Sequence, residues 1–241
     1  MNVLILAGGK GTRFREETEL KPKPMIEING TPMVIHIIDH YMFHGLKNFT
    51  ILAGTKIEYI IEYFDKSFER NGVNNFKYKD SNILILDTGK ETMTGGRIKF
   101  AIEHLNLKEF MLTYGDGISD VDIGDQINFY KKNDYSVIVT AGKPPPRFGR
   151  LKMEGNNVIE YGEKKKDDEN WINIGYFIMN KKILPLLEDE TTVLEKEPLE
   201  QLSKEKKLGA YFHDGFWQPV DTIREKEILE ENLISKKLKW Q

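Results

Sequence analysis

Cysteine is absent from all 241 residues, which excludes disulfides and thiolate metal sites and suits a reducing compartment. An excess of positive charge is lacking too. The 35 Lys and Arg stand against 38 Asp and Glu, a net charge of -3, so the basic footprint by which proteins bind nucleic acid is missing. No apolar run approaches transmembrane length. The run at the start, Met1-Asn2-Val3-Leu4-Ile5-Leu6-Ala7, is too short for a signal peptide, has no basic residue ahead of it and leads straight into Gly8-Gly9-Lys10. Repeats, flexible linkers and low-complexity tails are also missing. These absences lead to the expectation of a cytoplasmic protein with neither a membrane nor a nucleic acid as partner.

What is present reads as an α/β protein of one domain. Val3 to Leu6 is continuously apolar, as a central parallel strand covered on both faces would be. The prolines of Lys21-Pro22-Lys23-Pro24 predict an extended stretch, Thr31-Pro32 a helix start, and Gly45 its terminator. Asn48 to Leu52 is the next strand, and Ile57, Ile60, Ile61, Phe64 and Phe68 mark one face of a helix. Further strands are expected at Ile83 to Leu86, Phe110 to Thr113 and Ser136 to Thr140, with a helix over Asp122 to Lys132. After Pro144-Pro145-Pro146 the character becomes β-rich, with strands at Gly149 to Met153, Val158 to Glu163 and Trp171 to Met179. Short helices follow around Lys181 to Leu187 and Leu194 to Lys204, and Asp221 is placed to cap a last one. Alternating strands and helices at the start are the opening of a doubly wound sheet.

The turn after the first strand, Leu6-Ala7-Gly8-Gly9-Lys10-Gly11-Thr12-Arg13, carries the first chemical signal. It is not a P-loop, since Gly11 is followed by Thr12-Arg13, and not a dinucleotide fingerprint, since Phe14 stands where the third glycine belongs. A glycine-rich turn lets backbone N–H groups approach phosphate oxygens, and Arg13 adds a bidentate cation. Lys23 is pinned between Pro22 and Pro24, a costly arrangement for a lysine that merely faces water. Asp116, in Tyr114-Gly115-Asp116-Gly117 directly after a strand, stands where a metal carboxylate belongs in an open α/β sheet, although Gly-Asp-Gly also suits a plain turn. Asp221 fits either a helix cap or a second metal ligand. His36, His40 and His44, four apart on a helix, are expected to be an ordinary helix face.

The glycine loop together with Lys21-Pro22-Lys23-Pro24-Met25 resembles the signature of the sugar nucleotidyltransferase family. Asp87-Thr88-Gly89, Met93-Thr94-Gly95-Gly96-Arg97, Thr113-Tyr114-Gly115-Asp116-Gly117, Arg147-Phe148-Gly149, Glu197-Pro198-Leu199 and Gly215-Phe216-Trp217-Gln218-Pro219 narrow it to the glucose-1-phosphate cytidylyltransferases. The resemblance implies a Rossmann-like nucleotidyltransferase fold with a mixed, mainly parallel central sheet flanked by helices and a small β-rich C-terminal part. Within the single domain, a nucleotide-binding part would cover about 1–142 and a sugar-binding part about 143–241. It also implies CTP as donor, glucose 1-phosphate as acceptor, a CDP-sugar for surface polysaccharide as product, Mg²⁺ as cofactor and a homo-oligomer.

By the same resemblance, Asp116 and Asp221 hold the metal, and Arg13, Lys23 and Lys164 serve catalysis with Asp116. Leu6, Ala7, Gly8, Gly9, Gly11, Thr12, Arg13, Lys23, Thr94, Gly95, Arg97 and Gly115 bind the nucleotide, with Arg97 offered to base or phosphate oxygens and Gly95-Gly96 to a flat base. Glu163, Lys164, Asn173 and Trp217 attend the sugar, although Trp217 suits an apolar core at least as well. Three features depart from the family's pattern: Glu163-Lys164-Lys165, Asn173-Ile174-Gly175, and a short stretch between Lys79 and Asp87. Ile174 would therefore reshape a sugar pocket. Alternatives are another donor (UTP or dTTP), another acceptor such as a heptose phosphate, and a non-catalytic subunit that binds nucleotide sugar.

Overall fold

The computed structural model describes residues 1–9, 11, 21–144, 149–154, 157–163 and 171–235, with backbone alone over 149–154 and 157–163. Strand β1 (Asn2–Ala7) is followed by a small hairpin of β2 (Glu27–Ile28) and β3 (Thr31–Pro32), helix α1 (Met33–Phe43), β4 (Asn48–Ala53) and α2 (Ile57–Ser67). Strands β5 (Glu69–Gly72), β6 (Asn75–Tyr78) and β7 (Ser81–Asp87) form a meander, and α3 (Thr94–Leu105), β8 (Glu109–Tyr114), β9 (Gly117–Ser119), α4 (Ile123–Lys131) and β10 (Val137–Gly142) come next. The remainder is the β11 (Gly149–Glu154) and β12 (Asn157–Glu163) ribbon, β13 (Ile172–Asn180), α5 (Glu197–Lys204), β14 (Leu208–His213), β15 (Trp217–Pro219) and α6 (Ile223–Ser235).

Nine strands join one sheet in the order β14-β10-β13-β8-β1-β4-β7-β6-β5, with only β13 and β6 running against the rest. The sheet divides the core, because alternate residues of a strand face opposite sides. Val3 and Ile5 of β1 pack with α1, α2, α4 and α6 on one face, while Leu4 packs with α3, α5 and Ile183 on the other. This is the mixed, mainly parallel, helix-flanked sheet that was expected. Strands from both sides of residue 142 share it. Among the described residues, no helix is long and apolar enough to cross a membrane.

Several local expectations differ. Lys23–Met25 is a 3₁₀ turn rather than extended chain, because Pro24 tolerates an early helical position and only Pro22 stays extended. Thr31-Pro32 forms β3, and α1 starts at Met33 without a side-chain cap. Thr222, not Asp221, caps the last helix, its hydroxyl accepting from Glu225 N at 3.2 Å. The short 79–87 stretch contains a two-residue hairpin turn at Lys79-Asp80, with Tyr78 paired to Ser81.

Candidate active site

The strand order reverses at β1, where β4 lies on one side and β8 on the other. Ligands of open α/β sheets bind beyond the carboxyl ends of strands at such a reversal. Here a cavity of about 420 Å³ opens, floored by the glycine loop at the end of β1 and walled by the ends of β8 and the start of α3. Of the residues assigned to the nucleotide, Leu6, Ala7, Gly8, Gly9 and Gly11 line it on one side. Thr94, Arg97, Gly115 and Lys23 line it on the others.

The loop is held from beneath by Arg97. Its buried guanidinium donates to Gly8 O (3.0 Å), Ala53 O (3.0 Å), Thr88 Oγ1 (2.5 Å) and Gly89 O (2.8 Å). One side chain thus ties the ends of β1, β4 and β7 together, where the sequence reading offered it to a base or a phosphate. Gly8 must be glycine for this, since a Cβ there would lie 2.1 Å from the Arg97 Cζ. Gly95 and Gly96 have a similar role. They form the first turn of α3 and let it press on Glu190 and Thr192, where added Cβ atoms would meet those residues at 2.6–2.8 Å. Gly95 does not line the cavity, and its N–H goes to Thr192 O.

Three segments far apart in the chain meet at Lys23. Its ammonium donates to Asp116 Oδ2 at 2.9 Å and to Asp221 Oδ1 at 2.6 Å. Burial disfavours the charged lysine, but the Asp116 charge and the hydrogen bonds to both carboxylates outweigh it, and the net pKa shift is upward. The turn that presents Lys23 rests on Gly115, whose N–H donates to Leu6 O at 3.1 Å. Asp221 reaches inward because Thr222 carries the cap and Glu225 accepts from Asp221 N at 2.8 Å.

Two carboxylates that converge on one cation position suit a divalent ion bound by few protein oxygens together with water and substrate phosphates. Among the described residues there is no group of three or more potential metal-binding side chains, and Asp116 and Asp221 are the candidate donors at this point. The three helix histidines are engaged elsewhere: His36 Nε2 with Ile28 O, His40 Nε2 with Val121 O, and His44 Nδ1 at 3.8 Å from Asp122.

Asn173 stands beside the site through a bulge. Between the pairs Val139–Phe177 and Ala141–Asn173, β13 carries two more residues than β10, and Gly175 takes φ +82° over the Tyr114 ring. Asn173 Nδ2 donates to Tyr114 Oη at 3.2 Å. Ile174 points the other way, is 2% exposed and packs in the core, so its branched side chain does not enter the cavity. Trp217 also packs against that core and does not line the cavity. Glu163 is present as backbone only, and Thr12, Arg13 and Lys164 lie outside the described residues.

Sequence reasoning missed Tyr114 and Glu195, both on the cavity wall. Tyr114 Oη donates to Glu195 Oε1 at 2.5 Å, and Thr94 Oγ1 donates to Glu195 Oε2 at 2.7 Å. Burial raises the Tyr114 pKa, with the Glu195 charge adding to it, so the phenol stays protonated.

Comparison with known proteins decides the family. The model described as "Nucleotidyl transferase" matches residues 2–230. The chain belongs to the nucleotidyl transferase family. The glucose-1-phosphate cytidylyltransferases of Salmonella typhi and Salmonella typhimurium are each 41% identical to it over 254 positions, covering 100% of this chain and 99% of theirs. Those 254 aligned positions exceed the 241 residues here, so the relatives carry residues that this chain lacks. Among solved structures, HddC from Yersinia pseudotuberculosis in complex with GMP-PN has a TM-score of 0.72 at 23% identity, covering 96% of this chain and 99% of that one. At that identity the likeness shows the fold alone. This nucleotidyltransferase is thus similar along its whole length to glucose-1-phosphate cytidylyltransferases.

Proposed function

We propose that the protein is a cytoplasmic, Mg²⁺-dependent cytidylyltransferase that joins CTP and glucose 1-phosphate into CDP-glucose, releasing pyrophosphate, for surface polysaccharide. The observation that carries this reading is the meeting of Lys23, Asp116 and Asp221 beside the glycine loop, in a chain 41% identical throughout to glucose-1-phosphate cytidylyltransferases.

An oxygen of the sugar 1-phosphate attacks the α-phosphorus of CTP, the new P–O bond forms, and the bond to the β-phosphate oxygen breaks with its electrons leaving on pyrophosphate. A phosphate monoester with a second pKa of about 6 is largely dianionic at neutral pH, so no side chain has to remove a proton. Catalysis rests on positioning and charge neutralisation. Backbone N–H groups of Gly8, Gly9 and Gly11 cradle phosphate oxygens, Arg13 holds the departing pyrophosphate and Lys23 offsets charge at the reacting phosphates. Asp116 and Asp221 hold Mg²⁺, which when bound neutralises charge on the α-phosphate. Glu163 and Asn173 meet sugar hydroxyls and Lys164 the sugar-linked phosphate, in a sugar-binding part over about 143–241. The assembly is a homo-oligomer.

The test supplies each of the four NTPs with a panel of sugar 1-phosphates and Mg²⁺ and records pyrophosphate release. Release is expected fastest with CTP and glucose 1-phosphate and abolished in folded Asp116→Asn. A preference for UTP, dTTP or a heptose phosphate would overturn the specificity, and silence with every pair would leave a binding subunit instead. Near-normal turnover of folded Asp116→Asn would overturn its assignment.

A further inference from the structure

A continuous hydrogen-bond chain runs along the cavity wall from the start of α3 to β13. Leu194 N donates to Thr94 Oγ1 (2.9 Å), which donates to Glu195 Oε2 (2.7 Å), and Glu195 Oε1 accepts from Tyr114 Oη, which accepts from Asn173 Nδ2 (3.2 Å). An ionised carboxylate only accepts, so both hydroxyls must turn their hydrogens toward Glu195. That orientation fixes the next partner. The Tyr114 oxygen then presents lone pairs to Asn173, so the amide must place its NH₂ on Tyr114. Its Oδ1 accepts from Gly175 N at 2.8 Å. With both ends of the amide assigned, one N–H of Asn173 has no acceptor among the described residues.

We propose that Glu195 is a positioning residue: through Tyr114 it locks the Asn173 amide so that an N–H faces the acceptor sugar, and through Thr94 it ties that orientation to the nucleotide side of the cavity. This rests on the cytidylyltransferase reading, in which Asn173 meets a sugar hydroxyl. Without the carboxylate, the Tyr114 hydroxyl is free to rotate, its oxygen is no longer held as the acceptor for Asn173, and the amide is fixed at one end only, by Gly175 N. The sugar end of the ligand is consequently affected most.

The experiment compares wild type, Glu195→Gln, Tyr114→Phe and the double variant. The readouts are KM for each substrate, and calorimetric binding of CTP and of CDP-glucose. Glu195→Gln is expected to raise the KM for glucose 1-phosphate and weaken CDP-glucose about ten-fold, the scale of one charge-assisted hydrogen bond. CTP binding should fall clearly less than CDP-glucose binding, since the glutamine oxygen can still accept from Thr94, whose hydroxyl also keeps its bond from Leu194 N. Tyr114→Phe should do the same, and the double variant should equal either single one, because both interrupt one chain. Equal weakening of CTP and CDP-glucose would overturn the proposal, as would effects that multiply in the double variant. A wild type that neither turns over nor binds CDP-glucose would count against the cytidylyltransferase reading instead. The same four proteins, tested with the nucleotide sugar the wild type does bind, would then decide Glu195.

Discussion

Replacing Arg97 with methionine separates two roles that the sequence alone leaves superimposed. If Arg97 serves a ligand, the variant loses nucleotide affinity while the free protein keeps its stability. In the structure the guanidinium holds Gly8 O, Ala53 O, Thr88 Oγ1 and Gly89 O, which makes it a clamp on the free protein. Ala53 O keeps its donors from Thr88, at 2.6 Å from the hydroxyl and 3.0 Å from the N–H. Gly8 O and Gly89 O lose the Arg97 donor. Orphaning such groups costs about 1–3 kcal/mol each, and water entering from the cavity recovers part of it, so the loss should be about 3 kcal/mol. For a chain of this size each kcal/mol moves the melting temperature by about 2–4 °C, which gives a drop of about 6–12 °C in ligand-free protein. Arg97→Lys should recover little of it, because one ammonium cannot span carbonyls on three strand ends. Scanning calorimetry without nucleotide is the assay. An unchanged melting temperature together with lost CTP binding would refute the clamp and return Arg97 to the ligand.

Two further perturbations follow from single contacts. Alanine at Gly115 would place a Cβ 2.5 Å from Leu6 O and 2.7 Å from the Pro24 Cγ, so the turn carrying Lys23 must move; overpacking of this kind costs about 1–3 kcal/mol, and turnover should fall at least as steeply as stability, whereas wild-type rates and melting would show that the turn does not need this support. Burial holds His40 neutral, its pKa pushed down to about 3 from 6.5, so the unfolded chain binds a proton that the folded one refuses. Its contribution is complete above pH 6.5 and is lost as pH falls toward 3, at up to about 1.4 kcal/mol per pH unit. Urea unfolding at pH 7, 6 and 5 should show that slope flattened in His40→Gln, and identical slopes would refute it.

The fold was legible where the hydrophobic pattern was unambiguous. Val3 to Leu6, Asn48 to Leu52 and Phe110 to Thr113 became three adjacent parallel strands because every side chain in such a strand meets a helix layer. Helix α3 went unread although Ile98, Ala101, Ile102 and Leu105 have helical spacing, since Gly95-Gly96 at its start argues against a helix on propensity. Lys23 and Asp116 carry local signals, a lysine between prolines and an aspartate after a strand. Glu195 carries none. It sits in Leu194-Glu195-Lys196-Glu197, which reads as solvated charge, and its partner Tyr114 is 81 residues away. Asp221 and Thr222 are both good caps, and only the geometry shows which one takes the helix.

Glycines at this site mark places where the chain approaches itself, and this changes how the motif Met93-Thr94-Gly95-Gly96-Arg97 should be understood. A glycine pair beside an arginine in a nucleotide-binding protein suggests a backbone laid against a base with a cation at hand. In the structure Gly95 and Gly96 are closed off by Glu190 and Thr192, and Gly8 by Arg97 itself. Filling any of them would push the wall outward before it touched a ligand. The glycines therefore determine the shape of the cavity, and on this side its lining consists of Thr92, Met93, Thr94 and Arg97. Thr94 connects this wall to the hydrogen-bond chain, because it lines the cavity and its hydroxyl anchors Glu195.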